Sequence, residues 1–589
     1  MLGVALALIQ ILIGGRRLIF SLPAYAILAV VALLTLLIIR QLKPRPAQLC
    51  LISSAIFFGY ILVRAFFSPV AYIARPDIYA VVGGLVVYWF IACFCTSAKL
   101  RASVLIGLLV LGVIHVLIGA IQFRDGNNFM LISFLQRFDY GRRASGFYVC
   151  PNHLAGALEV LGVFGVSLVC WSRFPTWSKL LIGYITAVCY AGVLLTGSRG
   201  GYASAVMSLL VLAVLSLIVL RRAGARLVWS VGGISALAAL IIGGSAFLVV
   251  KKSDYLAERA QNPLSTAAIR LDLWHAAIEE WKAQPWIGTG SGTYLYYGRM
   301  FRTERMQQDP IDAHNDYLHL LAEYGAVGGV LFLFFLGAHL RNGWTNFQRL
   351  GPKRVIVSRN LLSTSLALNL GALATVAAYI LHSFVDFNLH IPANALLLAF
   401  VFGLLANAGI PRESETTVPM SILWWRALLP VTGAFLAIQC VRLLPGEYFA
   451  ERARTAQRDN HFDAAIDFAS RGLATEHKNP YLYLYLSSAQ FTHCDSMSDA
   501  QPRAVCYQNP IAALEIARSL TPQDRDLLVK LGFAYDAVGR HSEAEWMFYD
   551  AKQWDPKSIY LEEIYKYHLS RWRASGSPTA PEQPPAQKQ

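Results

Sequence analysis

The chain has 589 residues, of which 56% are hydrophobic and only 15% charged, and its mean hydropathy is +0.45. A soluble domain carries about 25% charged residues, so this composition excludes an ordinary soluble protein. The net charge of +15 would suggest a nucleic-acid partner for a soluble protein. Here much of the lysine and arginine falls in short loops between apolar blocks, so we expect no nucleic-acid binding.

The apolar residues form about thirteen blocks long enough to cross a hydrocarbon layer of about 30 Å. They lie near residues 2–15, 19–40, 47–67, 77–96, 102–123, 149–171, 178–197, 200–220, 226–250, 319–340, 359–386, 391–410 and 422–444. The first block lacks the basic start and cleavage site of a signal peptide, so we expect a retained helix. The first two blocks could also form one hairpin or a partly interfacial pair. The sequence therefore predicts an all-α polytopic membrane protein with about 12–13 transmembrane helices.

Alternate loops between these blocks are rich in lysine and arginine, for example around Arg40, Lys99 and Arg221. By the positive-inside rule these loops face the cytoplasm. The other loops, including residues 124–148, the turn at Ser198 and a large loop over residues 251–318, then face the periplasm. An odd number of spans places everything after residue 445 there as well. The prediction is a membrane domain over residues 1–445 in the bacterial inner membrane.

Residues 446–573 return to the composition of a soluble domain. Their clearest pattern has the spacing of a tetratricopeptide repeat of about 34 residues, with looser copies before it. It consists of Leu531, Gly532, Tyr535, Gly539, Ala544, Phe548, Ala551 and Pro556. We predict a periplasmic helical domain like a tetratricopeptide array, which would present a concave surface to a partner protein. The Pro- and Gln-rich residues 574–589 are expected to be disordered.

Nine cysteines show no metal-ligand spacing, and no metal site is expected. Seven of them lie in or beside the apolar blocks and are interpreted as small core residues. Cys494 and Cys506 bracket a polar insertion in the C-terminal domain. In an oxidising compartment they would form a disulfide that closes this insertion, and the alternative is two idle thiols.

A glycine-flanked turn between two apolar blocks carries the first candidate site residues, Ser198 and Arg199. The glycines permit close backbone approach, and Ser198 supplies a hydroxyl donor. An arginine inside the membrane costs about 2.5–3.5 kcal/mol, so we expect Arg199 to face a polar cavity as an anion clamp. The alternative is an arginine at a helix end whose charge reaches the membrane surface.

The large loop predicts an amphipathic helix over residues 268–281 that carries Arg270. A glycine-rich turn follows at residues 285–292 and could wrap closely around a ligand. It is not a nucleotide phosphate loop, because no Gly-Lys-Ser sequence follows.

The same loop ends in Asp312-Ala313-His314-Asn315-Asp316, and Glu323 and Gly325 follow at the start of the next span. A histidine can act as a base near neutral pH, and either aspartate could orient it. His314 and Leu318 are expected to share a helix face, which would direct His314 into the cavity of the following span.

Two further polar groups lie at the ends of spans on the same predicted side. Arg143 precedes Asn152 and His153, for which helix capping by Asn152 is the alternative interpretation. His382, Asp386 and His390 flank a turn between two late spans, where we expect a polar cluster at the outer surface. Arginine and histidine without a metal pattern suit one task, which is holding a diphosphate and taking a proton from an attacking hydroxyl.

Together these strings resemble the O-antigen ligase and polymerase superfamily of bacterial surface-glycan enzymes. The matching strings are Arg143-x-x-Gly146 with Pro151-Asn152, Thr196 to Gly201, Arg270 with Pro285-x-x-Gly288-x-Gly290, His314-Asn315-Asp316 with Glu323-x-Gly325, and His382-x-x-x-Asp386. The resemblance covers roughly residues 100–410. It implies a multi-helix fold related to the C-type glycosyltransferases, without metal or cofactor, that uses a glycan on undecaprenyl diphosphate as donor at the periplasmic face.

Carried over to this chain, the resemblance implies that Arg199 and Arg270 bind and neutralise the leaving diphosphate. His314 would be the general base that activates an acceptor hydroxyl, and the lipid tail would lie between helices. Arg143 and Asn152 match a motif without a firm role. The expected substrate-binding residues are Arg143, Asn152, Ser198, Asn315, Asp316, Glu323, His382 and Asp386.

The appended C-terminal domain departs from the simplest ligases and leaves the acceptor open. It could be a lipid A–core sugar, a growing polysaccharide end or a protein Ser/Thr hydroxyl. The alternatives are therefore a polymerase or a protein O-oligosaccharyltransferase of the same superfamily. A transporter of lipid-linked glycans would need a polar path to the cytoplasm, whereas the polar residues cluster outside. The remaining class is a non-catalytic assembly scaffold that works through its C-terminal domain.

Overall fold

The computed structural model describes residues 1–223, 264–351, 362–410, 417–495 and 505–574, together with residues 497 and 502. Over these residues the chain is all-α, as predicted. In chain order we number the helices α1 Leu2–Ile11, α2 Leu18–Leu34, α3 Gln48–Phe66, α4 Ala71–Trp89, α5 Ala98–Asp125, α6 Pro151–Trp171, α7 Thr176–Leu195, α8 Arg199–Ala223, α9 Leu264–Ala283, α10 Tyr294–Met300, α11 Asp316–Leu350, α12 Thr364–His382, α13 Pro392–Ala406, α14 Met420–Arg458, α15 Phe462–Thr475, α16 Pro480–Asp495, α17 Gln508–Leu520, α18 Arg525–Ala537, α19 His541–Trp554 and α20 Ile559–Ala574.

Ten of the described helices are long and apolar enough to cross a membrane, namely α2 to α8, α11, α12 and α14. The sequence predicted about thirteen spans. Two of the predicted blocks form helices of only 10 and 15 residues, α1 and α13. The block at residues 226–250 lies outside the described residues, as do residues 575–589 of the tail expected to be disordered. The chain is a multi-pass membrane protein.

Helix α6 lies at the centre of the bundle, with almost all of its side chains buried between α5, α7, α8 and α12. Close approach of α7 depends on Gly165, where an added Cβ would lie 2.0 Å from Thr186 Oγ1. Small residues at such crossings let helices pack by van der Waals contact inside a membrane. The core therefore holds α6 rigidly, and with it the polar residues that α6 carries.

One end of the bundle, which we call the site face, contains the loops in which the sequence predicts most of the candidate site residues. Residues 126–150, 196–198, 284–315 and 383–391 all lie there. The C-terminal helical domain, α15 to α20, lies on the same face, because α14 runs without interruption from the membrane into it. The site and this domain are therefore on one side of the bundle.

Helices α15 to α20 pack as consecutive hairpins. In the pair α18–α19, Gly532 makes room for Phe548, whose ring would lie 2.7 Å from an added Cβ. These helices agree with the predicted helical domain, while their assignment as tetratricopeptide repeats stays a prediction. A disulfide joins Cys494 and Cys506 across the insertion between α16 and α17.

Buried ion pairs fix the C-terminal domain to the loop that follows α10. Arg302 is 1% exposed and lies 2.7 Å from Asp555, which is fully buried. Arg299 contacts Asp526 at 3.0 Å in the same network. We call this the docking network; Asp309 and Arg525 complete it. It joins a loop near the candidate base His314 to the C-terminal domain.

The glycine-rich turn at residues 285–292 lies against the start of α11. Gly290 N donates to the Glu323 carbonyl at 3.0 Å, and Ala326 N donates to the Pro285 carbonyl at 2.8 Å. A Cβ added to Gly288 would lie 2.2 Å from the backbone of Glu323, and Gly325 breaks the helical geometry of α11 with φ +65. Gly288 therefore permits contact between two backbones, while Gly292 of the same turn lines a cavity, and the interpretation of this turn as a ligand loop stays a prediction.

Candidate active site

Arg143 is the first of three arginines gathered at the site face. Its Nε donates to the Thr196 carbonyl at 2.8 Å, and its Nη2 donates to Asn152 Oδ1 at 2.5 Å. The side chain is 7% exposed. Asn152 does not cap α6, whose preceding residue makes no side-chain capping bond. The capping alternative for Asn152 was thus wrong, since its amide oxygen holds the Arg143 guanidinium instead.

Arg270 on α9 lies near both Arg199 and Arg143, so the three predicted arginines share one region. Burial lowers the pKa of its guanidinium, Asp386 raises it, and the charges of Arg199 and Arg143 lower it again. Among the described residues, no carboxylate forms an ion pair with Arg270. Three guanidinium groups therefore share one neighbourhood with the Asp386 carboxylate. Such an excess of fixed positive charge favours an anionic ligand.

His314 lies beside this group, with Nδ1 3.2 Å from Asp386 Oδ1. Its ring packs edge-on against Phe387, with centroids 4.6 Å apart, and 32% of the side chain is exposed. The residue has φ +49 and precedes α11, which begins at Asp316. The expected helix face shared with Leu318 was wrong, because Asn315 caps the helix and leaves His314 in the turn before it.

Asp386 connects the histidine to the arginines. Burial would raise the pKa of its carboxyl group, but the His314 imidazole, together with His382 and His153, holds that pKa well below its usual range. The carboxylate is therefore ionised at neutral pH, and it can orient the His314 ring and stabilise an imidazolium there.

Two residues of the predicted binding set form helix caps. Asn315 Oδ1 accepts hydrogen bonds from the backbone of Tyr317 at 3.0 Å and Leu318 at 3.1 Å. Ser198 Oγ accepts one from Gly201 N at 3.2 Å, at the start of α8. Both side chains are buried. They set the direction of the backbone that carries His314 and Arg199.

Asp316 and His382 form separate buried pairs behind the cluster. Ser383 Oγ donates to Asp316 Oδ2 at 2.8 Å, and His390 Nδ1 lies 3.1 Å from Asp316 Oδ1. His382 is fully buried, with Nδ1 3.0 Å from Glu159 Oε1. His382 is therefore buried inside the protein, whereas 24% of the His390 side chain is exposed, and the location of this cluster at the outer surface stays a prediction.

Glu159 was not predicted from the sequence, and its carboxylate also accepts a hydrogen bond from Ser204. A carboxylate in the middle of an apolar span is itself a signal of function or of a buried pair. Asp77 in α4 is a second carboxylate in an apolar span that was not predicted as a site residue. Ser291 Oγ donates to its carboxylate at 2.6 Å.

A cavity of about 520 Å³ is lined by the Asp316–His390 pair, while the three arginines, His314 and Asp386 are not among its lining residues. At its polar end lie Asp312, Asp316, His319, Glu323 and His390, and at its apolar end lie phenylalanines of α3, α11 and α13. Glu323 accepts hydrogen bonds from Tyr294 N at 3.2 Å and pairs with His319 at 3.2 Å. Glu323 therefore faces this cavity rather than the three arginines.

The pH dependence of stability follows from His390. Burial would lower its pKa, but the hydrogen bond and charge of Asp316, with Asp312 and Asp77, raise it from 6.5 to about 9. A raised pKa stabilises the fold fully below pH 6.5, and this contribution is lost as the pH rises through about 9. We expect a loss on the order of 2–3 kcal/mol over that window.

Thermal unfolding of the purified protein across this pH range measures the effect. His390→Gln should flatten the profile, whereas replacement of the exposed His275 should leave it unchanged. Equal pH profiles for His390→Gln and the unmodified protein would contradict the assignment.

Residues 182–333 match the family model Wzy_C, described as O-antigen ligase. No curated protein matches the chain. The matched region contains Arg199, Arg270, His314 and Glu323, while Arg143 and Asp386 lie outside it and join the cluster only through the fold. The chain thus carries an O-antigen ligase family domain within a multi-span helical protein.

Proposed function

We propose that the protein is a glycosyltransferase of the O-antigen ligase type, which moves a glycan from undecaprenyl diphosphate to an acceptor hydroxyl. The observation that carries the proposal is the juxtaposition of Arg143, Arg199 and Arg270 with the pair His314–Asp386. Guanidinium groups suit a diphosphate, and a histidine held by a carboxylate suits removal of a proton. The matched family supports the same reaction class.

The proposed step breaks one bond and forms one bond. The acceptor hydroxyl oxygen attacks the anomeric carbon of the glycan, and His314 takes the hydroxyl proton. The bond between that carbon and the diphosphate oxygen breaks, and undecaprenyl diphosphate leaves with the electron pair. Arg199 and Arg270 stabilise the charge that develops on the leaving oxygen, and Asp386 stabilises the imidazolium that forms.

Arg143 has a different role in this scheme. Its Nε and Nη2 are already bonded to Thr196 and Asn152, so its position is set before substrate arrives. It adds fixed positive charge to the site, and its hydrogen bond to Thr196 holds the turn that precedes Arg199 in place. Preorganised charge of this kind needs no rearrangement during the reaction.

Two features support a periplasmic site. The basic loops at the opposite end of the bundle favour a cytoplasmic location for that end. The disulfide between Cys494 and Cys506 lies in the domain at the site face, and disulfides persist in oxidising compartments. The C-terminal domain would then be periplasmic, like the cluster it touches.

The acceptor remains among a lipid A–core sugar, a polysaccharide end and a protein hydroxyl, which correspond to a ligase, a polymerase and a protein O-oligosaccharyltransferase. The proposed partners are the lipid-linked donor, one of these acceptors and the surrounding lipids.

The test compares Arg270→Ala, Arg270→Lys and Arg199→Ala in membranes that contain lipid-linked glycan. Loss of one charge-stabilising donor is expected to slow turnover by about 10²–10³-fold. Lysine should restore only part of it, since it lacks the forked geometry of a guanidinium. Consumption of the lipid-linked glycan is the measurement.

Arg124→Ala is the matched control, because this arginine also lies at the site-face end of the bundle but is 75% exposed and pairs with its surface neighbour Asp125. It should retain normal turnover. Unchanged turnover in both Arg199→Ala and Arg270→Ala would refute the enzymatic proposal.

A further inference from the structure

A second cavity, which we call the junction pocket, lies between the membrane bundle and the C-terminal helical domain. Its volume is about 300 Å³, at the lower end of the range of small-molecule sites. Its walls include Tyr72 and Arg75 of α4, Glu447 and Glu451 of α14, and Tyr481 and Tyr485 of α16. Neither domain forms this pocket alone, so docking of the two creates it.

Three tyrosines form an aromatic wall in the junction pocket. The Tyr72 and Tyr481 rings meet edge to face with centroids 5.5 Å apart, and Tyr481 and Tyr485 are nearly parallel at 6.4 Å. All three side chains are half-buried, and the hydroxyls of Tyr481 and Tyr485 make no hydrogen bond to a described residue. Such rings offer a flat apolar face together with a hydroxyl at the edge.

Each of the four arginines that line the junction pocket is paired with a carboxylate, in part from residues outside its walls. Arg75 lies 3.1 Å from Glu476 and 3.6 Å from Glu447. Glu451 accepts from Arg454 at 2.8 Å and also from Arg17. Paired charges create no excess field for an anion, and they make the wall too polar for a hydrocarbon chain. They instead provide fixed donors and acceptors for a neutral ligand rich in hydroxyl groups.

The junction pocket adjoins the 520 Å³ cavity that Asp312 and Asp316 line. Arg16, Tyr72 and Tyr481 line both spaces. Arg16 also donates to Asp312 at 2.8 Å and lies over the Phe387 ring, which touches His314. A ligand chain could therefore extend from the neighbourhood of His314 to the tyrosines.

We infer that the junction pocket binds a saccharide unit, with one sugar ring against the tyrosines and its hydroxyls on the paired carboxylates and guanidinium groups. The inference rests on the proposed function, since a glycan at His314 is what would reach this pocket. It assigns the C-terminal domain a direct role in glycan recognition. The same chemistry could come from the donor glycan or from a sugar of the acceptor.

The test measures saccharide binding separately from transfer, on the full chain in detergent or nanodiscs. One probe is the oligosaccharide released by mild acid from the lipid-linked glycan of the expressing cells. The other is the core oligosaccharide released from the lipopolysaccharide of the same cells. Binding of at least one probe is expected, and Tyr481→Ala or Tyr485→Ala should weaken it about tenfold or more.

Tyr560→Ala is the matched control, because this tyrosine of α20 is 58% exposed and lies outside the pocket. It should bind as the unmodified protein does, and so should His314→Ala. Preference for the first probe identifies the donor as the source, and preference for the second identifies the acceptor.

Absence of binding by both probes would overturn the inference, as would equal weakening in Tyr560→Ala. The two proposals fail separately: normal turnover in both Arg199→Ala and Arg270→Ala, with intact, tyrosine-dependent binding, rejects only the transfer chemistry. Normal catalysis by the unmodified protein without binding rejects only the junction pocket.

Discussion

Replacing His314 by alanine is expected to slow glycan transfer by about 10²–10⁴-fold, the contribution typical of a positioned general base. His314 is the partly exposed imidazole next to the arginine cluster, and Asp386 lies 3.2 Å from its Nδ1. Binding of the lipid-linked donor should change little, because the guanidinium groups remain. Single-turnover consumption of the donor, with donor binding measured separately, checks the expectation.

Two further variants distinguish the role of the base His314 from that of the Asp386 carboxylate beside it. Asp386→Asn should slow transfer less than His314→Ala, because it removes the charge that stabilises the imidazolium but keeps the base itself. His275→Ala changes an exposed histidine of α9 and should transfer normally. Normal transfer by His314→Ala, or a loss of donor binding instead of rate, would reject the role assigned to this residue.

Removing the carboxylate of Asp555 is expected to weaken docking of the C-terminal domain by about 3–5 kcal/mol, since it leaves a buried guanidinium without compensation. Asp555 is fully buried and contacts both Arg302 and Arg525. Asp555→Ala should lower the thermal stability and expose α18 to protease. It should also slow transfer, because the docking network joins the loop that leads to His314.

The exposed pair Lys566–Glu563 provides the control for this network. Glu563→Ala is expected to change stability by less than about 1 kcal/mol, as surface pairs do. The double variant Arg302→Met with Asp555→Leu should lie closer to the unmodified protein than Asp555→Ala, because no isolated charge is left at that pair. Protease resistance of Asp555→Ala equal to that of Glu563→Ala would contradict the docking role.

The broad architecture could be predicted because membrane spans and charge asymmetry are local properties of sequence. The gathering of Arg143, Arg199 and Arg270 at one end of the bundle followed from the same alternation of loops. Helix lengths were less predictable, since the apolar blocks at residues 2–15 and 391–410 form helices of only 10 and 15 residues. Hydropathy averages over a window and cannot set a helix end.

The partners of individual side chains could not be predicted, since they depend on tertiary contact. Glycines at 285–292 have the same local pattern whether they approach a ligand or another backbone, and only the fold shows Gly288 against α11. Likewise, Asn152 has the composition of a helix cap, but its amide oxygen accepts from the guanidinium of Arg143, nine residues earlier. Glu159 and His382 meet across more than two hundred residues of sequence.

The continuity of α14 has a mechanical consequence. One helix of 39 residues begins in the hydrocarbon layer and ends among the C-terminal helices, with Glu447 and Glu451 along its outer part. A helix changes its tilt when bilayer thickness changes. A change in the tilt of α14 would move Glu447 and Glu451 and so alter the shape of the junction pocket. Bilayer thickness would thereby influence glycan recognition. Vesicles made from lipids of increasing acyl-chain length should give a graded change in the affinity for the saccharide probes.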